Sequence, residues 1–384
     1  MRYIYLDNGA TSFPKAPGVA EAMAHFLSGV GANIGRASYP AATEAALTVL
    51  GVREKLAELF HFSDPSHVVF TSGATAALNQ CIKGFLKPGD HAIVGALEHN
   101  AVMRPLTQLT KIGVSFSRME ADDAGNINPA SLTRLITPST RLVVVSHASN
   151  VCGTLAPLEE IASICRTHEI PLVLDASQTA GHIRVDFEGL FLSALCVPAH
   201  KGLLGPQGVG ALLLAPAFAK ALDPCVSGGT GSMSDSEEIP SYMPDKFEAG
   251  TLNLPGLYGF DAALSFVLNK GIDALRAHEL ALTERFLNGI RGLKGVRLAG
   301  VQELSRRVGV VSLDFPCMDN ASVAFALEKD YGILTRCGLH CAPNAHKTLH
   351  TFPQGTVRFS VGYTTTEAEI DAAVAAIKKI CELV

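Results

Sequence analysis

Short apolar runs alternate with stretches of helical periodicity through the first two-thirds of the chain. HVVF (67–70), HAIV (91–94), VSFS (114–117), RLVVVS (141–146), PLVLD (171–175), LSALCV (192–197) and VGALLL are too short for helices and rich in Val, Leu and Ile. Such runs predict buried strands. Two helical patterns precede them, near 17–29 and 42–61. Strand and helix in alternation predict an α/β fold, a mostly parallel sheet with helices on both faces.

The pattern then changes. Residues 226–250, VSGGTGSMSDSEEIPSYMPDKFEAG, are rich in Gly, Ser and Pro and carry little periodicity. A loop that long inside a compact domain is usually functional or lies at an interface. Long amphipathic helices follow, near 256–270 and 272–293, then the strands GVVSLDF and TVRFSV with a helix near 321–330 between them, and a last helix over roughly 366–383. This tail reads as a smaller α+β domain. The expected division gives residues 15–258 to the large domain and residues 1–14 with 259–384 to the small one.

Composition adds boundaries. The 384 residues are 48% hydrophobic, enough for a sizeable core. With 31 basic and 36 acidic side chains the formal net charge is −5, which gives no sign of nucleic acid or of an anionic membrane surface. The start, MRYIYLDNGATSFPK, lacks the apolar stretch of a signal peptide, and no window approaches a membrane span, so a cytoplasmic protein is expected. Nine cysteines, an odd and scattered set, do not read as a disulfide framework.

Candidate chemistry centres on residues 171–204. PLVLD ends in Asp175, at the carboxyl end of a strand, where open α/β sheets bind ligands. Lys201 follows 26 positions later, behind His200 and ahead of the glycine-rich GLLGPQGVG. An acid at a strand tip followed by a His-Lys turn is an arrangement that holds pyridoxal 5'-phosphate: the lysine bonds the aldehyde, and the acid keeps the pyridine nitrogen protonated. Taken singly, a helix-capping Asp and a surface Lys are the plainer readings.

Other motifs fall at strand ends. TSGATAALN (71–79) follows HVVF and opens a helix, so that Gly73, Ala74 and Thr75 offer amides and a hydroxyl to an anion, or simply cap the helix. No Walker sequence is present, which disfavours a nucleoside triphosphate. ALEHNA (96–101) places His99 just after HAIV, able to stack on a ring or to serve as acid or base, or else a structural His. SHASNVCGT (146–154) and SQTAG (177–181) offer Asn150 and Gln178 to a phenolic oxygen. In RCGLHCAPNAHKTLH (336–350), Cys341 lies in a Gly- and Pro-containing, locally basic loop suited to a nucleophile. A buried Cys and a metal loop of Cys337, His340 and Cys341 are the competing readings, and no metal is expected. Arg358, between Val357 and Phe359 in TVRFSV, needs an anion: a substrate carboxylate or an internal salt bridge.

Together the motifs YLDNGATSFPK, GANIGRASY, SGATAALN, EHNA, SNVCGT, LDASQTAGH, AHKGLLGPQGVG, FEAGTLN, RCGLHCAP and VRFSVGY occur in an order, and over nearly the full length, that resembles the class-V aminotransferase family of fold-type-I pyridoxal-phosphate enzymes, in its cysteine desulfurase/selenocysteine lyase branch. The resemblance implies that Lys201 binds the cofactor and shuttles the substrate Cα proton. It implies that Asp175 pairs with the pyridine nitrogen, that His99 stacks on the ring, and that Asn150 and Gln178 contact the phenolic oxygen. Thr75 and His200, with nearby amides, would bind phosphate. Thr251 in FEAGTLN would reach the partner subunit's phosphate, which implies a homodimer. Arg358 would clamp the substrate carboxylate, aided by Asn150 and the backbone around Gly9 and Ala10. L-Cysteine would be the substrate and Cys341 would take its sulfur as a persulfide, for a sulfur-acceptor protein and uses such as iron–sulfur cluster assembly. A selenocysteine lyase or another class-V aminotransferase is the alternative, and a non-catalytic sulfur carrier a further one.

Departures from the family pattern also stand in the sequence. Pro198 replaces a usual Ser or Thr for the phosphate, a role that the GGTGS segment (228–232) could take over. Ala76 stands where Glu is frequent, and Tyr39 falls near a frequent His.

Overall fold

The computed structural model describes residues 3–35 and 39–382, so Arg36, Ala37 and Ser38 of GANIGRASY and both chain ends of the expected small domain lie outside the described residues. The seven apolar runs form one sheet. Its strands are β1 (Val68–Thr71), β2 (His91–Val94), β3 (Ser115–Arg118), β4 (Thr140–Ser146), β5 (Leu172–Asp175), β6 (Ala194–Pro198) and β7 (Gly210–Leu214), in the order β1-β7-β6-β5-β4-β2-β3. Pairing is parallel from β6 through β5, β4 and β2 to β3, and antiparallel on both sides of β7. The central strands are buried throughout, as their unbroken apolar runs require.

A second sheet of four antiparallel strands holds β8 (Arg297–Ala299), β9 (Val310–Asp314), β10 (Arg336–Gly338) and β11 (Thr356–Ser360), in the order β10-β11-β9-β8. The N-terminal Ile4–Tyr5 pairs in parallel with Ile333–Leu334 as a separate two-stranded sheet, and the Asp7–Ser360 bridge ties the start of the chain to the second sheet.

Two large cores pack either face of the first sheet, and a third lies under the second sheet. The helix Leu254–Lys270 follows the long irregular segment and buries Leu257, Phe260, Leu264 and Val267 in the first core, packed against helices Val19–His25 and Pro40–Leu59. The third core takes Leu6 together with residues from Leu282 onward. The cores therefore part within the helix Ile272–Ile290, beyond residue 258.

Parallel strands put their carboxyl ends on one edge. Asp175 ends β5, Ser146 ends β4 directly opposite it, and the turns after β1, β2 and β6 open on the same side. That edge is where ligands bind in open α/β sheets.

Candidate active site

A cavity of about 190 Å³ opens on this edge, with Gly73, Ala74, Thr75, His99, Asn150, Asp175, Gln178, His200 and Lys201 in its wall. Nine positions that the sequence singles out, drawn from five separate segments at strand ends, thus share one space.

Each is set in place by its own element. Asp175 is 5% exposed, and its Oδ1 accepts the Ser177 amide (2.9 Å) and hydroxyl, which leaves Oδ2 for the cavity. Lys201 follows β6; burial lowers its ammonium to about 8, with the Asp175 carboxylate pulling the other way. An amine near neutrality is what a lysine that bonds an aldehyde requires. His99 is the N-cap of helix Asn100–Leu109, its Nδ1 accepting the Ala101 amide at 3.0 Å. With Nδ1 an acceptor and burial lowering its pKa, the ring is neutral with its proton on Nε2. Gln178 donates to Gly9 O (3.1 Å), which brings the N-terminal segment to the rim.

The anion end is equally built. Helix Ala74–Phe85 opens at Gly73, φ 144°, without a side-chain cap, so its first amides face the cavity. A side chain at Gly210 on β7 would stand 2.6 Å from Gly73 Cα, so glycine there lets the turn seat on the sheet. A buried carboxylate, a near-neutral lysine, a stacking-capable imidazole and an uncapped helix start fit pyridoxal phosphate.

The remaining expected residues lie outside this wall. Thr251 lines a separate depression with Arg53, Thr230, Ser232 and Glu248. The GGTGS segment is there too, so within one chain it does not replace the hydroxyl missing at Pro198, which does line the cavity. Arg358 is 2% exposed and forms the internal salt bridge, Nη2 to Asp7 Oδ1 at 2.8 Å, while Nη1 donates to Asn150 O at 3.0 Å. Its Nε is buried and has no partner among the described residues. The Ala10 amide is engaged by Asp7 O (3.0 Å) and that of Gly9 by Ser360 Oγ (2.7 Å), so neither stands free for a substrate carboxylate here. Cys341 is exposed, yet its loop is docked on the rim. Asn150 Nδ2 donates to His340 O and the Asn100 amide to Cys341 O, both at 2.7 Å. His340 itself turns inward, its Nε2 3.1 Å from Thr356 Oγ1.

Two site groups escaped the sequence reading. Glu98 is 2% exposed and accepts the Ser146 amide (2.8 Å) and hydroxyl (2.7 Å), directly below the cavity. Burial pushes its carboxyl up to about 7, and Asp175 adds to the rise. An acid directly after the apolar AIVGAL run (92–97) was the available signal. Asp7, the partner of Arg358, was visible only as part of a motif.

Comparisons with known proteins agree with this geometry. The Aminotransferase class-V family profile matches residues 4–373. A probable cysteine desulfurase of Methanothermobacter thermautotrophicus is 32% identical over 373 residues, 96% of this chain and 92% of that protein. A cysteine desulfurase of Synechococcus elongatus is 29% identical over 98% of this chain and 60% of its own length. Among solved structures, the apo cysteine desulfurase of Thermococcus onnurineus superposes with a TM-score of 0.93 at 29% identity, over 100% of this chain and 95% of the other. The S-sulfonic acid form of the Escherichia coli desulfurase CsdA gives 0.88 at 27%, over 100% and 95%. The fold, the cavity and the whole-length match together place this chain in the class-V aminotransferase family of pyridoxal-phosphate enzymes.

Proposed function

We propose that the chain is a cysteine desulfurase that converts L-cysteine to L-alanine and receives the sulfur on Cys341. The observation that carries this reading is the docking of the Cys341 loop. Asn150, a cavity residue, holds the carbonyl of His340, and the residue after His99 holds the carbonyl of Cys341 itself. An exposed thiol fastened to the rim of a pyridoxal-phosphate cavity has a use in sulfur transfer and none in amino-group transfer.

Pyridoxal phosphate, when bound, supplies the electron sink that loosens the Cα–H and Cβ–S bonds of cysteine. Asp175 would keep the pyridine nitrogen protonated, and His99 would face the ring. Gly73, Ala74, Thr75 and His200 would hold the phosphate, and Gln178 and Asn150 would serve the phenolic oxygen. Lys201, whose ammonium burial lowers to about 8, would hold the aldehyde and afterwards take the Cα proton. Arg358, oriented by Asp7, has the unpartnered Nε for the substrate carboxylate. The Cys341 sulfur then attacks the substrate sulfur. An S–S bond forms, the Cβ–S bond breaks, and its electron pair stays with carbon, which is protonated to alanine. Cysteine plus thiol gives alanine plus persulfide, with no outside oxidant or reductant.

The active form is a homodimer. Thr251 lies off the cavity of its own chain, on the exposed irregular segment, where it is available to the neighbouring subunit's phosphate. The large domain carries the cofactor residues, the small one Cys341 and Arg358, and the enzyme works in the cytoplasm. The persulfide passes to an acceptor protein, with iron–sulfur cluster assembly as one destination. Alanine release from L-cysteine, one per sulfur, tests the reaction; L-selenocysteine in parallel separates it from a lyase. Alanine from selenocysteine alone would replace the desulfurase by the lyase.

A further inference from the structure

One backbone carbonyl, that of His200, is crowded with donors. The Ser12 amide (2.9 Å) and hydroxyl (3.1 Å), the Thr11 hydroxyl (3.1 Å) and Lys15 Nζ (3.0 Å) all reach it. A carbonyl oxygen has two lone pairs and cannot satisfy four donors. The Ser12 amide and the charged Lys15 are fixed donors, and charge-assisted bonds are the stronger ones. Lys15 Nζ also donates to Thr11 Oγ1 at 3.0 Å. The Thr11 proton, displaced from the carbonyl, has one other acceptor at hand: His200 Nδ1, 3.1 Å away.

We propose that Lys15 is a positioning residue for the cofactor phosphate: by occupying the His200 carbonyl it turns the Thr11 hydroxyl toward His200 Nδ1, which fixes the imidazole proton on Nε2 as a donor into the cavity. This rests on the reading of the cavity as a pyridoxal-phosphate site. Without Lys15, Thr11 donates to the carbonyl and accepts Nδ1–H. Nε2 is then bare and repels an anion. The tautomer matters because the ring is neutral in the free site: burial, with Lys201 and Lys15 close by, lowers His200 to about 4. It matters more in this chain because Pro198, on the same wall, has neither hydroxyl nor amide proton to give. Half-buried Lys15 is held among neutral oxygens, Ser12 Oγ at 3.2 Å included, and burial lowers it to about 8.

The test uses the full-length apoprotein, with pyridoxal phosphate and phosphate-free pyridoxal as paired probes, and 15N shifts of the His200 ring. Lys15→Met should raise the pyridoxal-phosphate Kd about tenfold, the size of one lost hydrogen bond to an anion, with pyridoxal unchanged. Lys15→Arg should restore most of the loss. Thr11→Val should reproduce it with Lys15 intact. The ring shifts should report Nε2–H in the wild type and Nδ1–H in Lys15→Met. Equal losses for both probes, no loss for either, or a wild-type ring already protonated on Nδ1 would overturn the proposal. A wild type that binds neither probe would overturn the cofactor site, and the ring shifts would still decide the Lys15–Thr11–His200 relay.

Discussion

The two sides of the cavity are built in opposite ways. On the sheet side Asp175 stands at the tip of a buried strand and Glu98 in the turn after another, each fixed by a serine: Asp175 Oδ1 by Ser177, Glu98 by Ser146. On the other side Cys341 is exposed, and both it and His340 have left-handed backbone, φ 57° and 47°. Such backbone costs roughly 1–2 kcal/mol for each non-glycine residue and persists where neighbours hold it. Here the holders are two hydrogen bonds, from Asn150 and from the Asn100 amide. Chemistry at Cα demands fixed geometry, whereas a sulfur carrier must meet the substrate and then a partner. Fixed tips on one side and a fastened but exposed loop on the other answer those two demands.

The largest way to break the sheet side is Lys201→Ala. If Lys201 moves the Cα proton as proposed, its loss should cut alanine formation on the order of 10⁴-fold. Cofactor contacts through the phosphate remain, so bound pyridoxal phosphate should still be detected, without covalent attachment after borohydride reduction. Asn150→Ala attacks the joint between the sides. It removes the donor to His340 O, so turnover should fall on the order of 10²-fold through misplacement, while alkylation of Cys341 by iodoacetamide speeds up. Slower alkylation would show that Asn150 does not restrain the loop.

Glu98→Gln sharpens the comparison with a smaller effect on activity. Its carboxyl is raised by burial to about 7 from an ordinary 4.5. Below the ordinary value both folded and unfolded states hold the proton, and the contribution is fully present. As pH rises toward 7 the unfolded state ionises first, so stability falls, by roughly 3 kcal/mol in total, and levels off above 7. The Gln variant should lack this decline in urea unfolding between pH 4.5 and 8, with turnover at neutral pH within about twofold of the wild type. Parallel pH profiles for the two proteins would remove Glu98 from this role.

Asp175 and Lys201 were legible in the sequence because a strand tip is a local feature: an apolar run that ends in an acid, and a lysine before glycines. The direction of VGALLL was not legible, since an unbroken buried apolar run reads the same either way, and β7 runs antiparallel to both neighbours. Strands β8 and β10 are three residues each with charged or open positions, below what a pattern reveals. Helix Leu254–Lys270 reads as part of the tail, but its apolar face belongs to helices some 200 residues earlier. Glu98 and Lys15 are hidden for the same reason. What makes each informative, Ser146 or the His200 carbonyl, comes from far along the chain.

The central claim is that Cys341 on its fastened loop takes the sulfur. Mass spectrometry of peptides from the cysteine-treated enzyme tests it most directly, in the wild type and in Cys341→Ser. The expected result is one added sulfur on Cys341 and none on Cys337, with Cys341→Ser still loaded with cofactor but releasing almost no sulfur. An unmodified Cys341 in a protein that turns over cysteine, or a Cys341→Ser variant that desulfurates at the wild-type rate, would contradict the account.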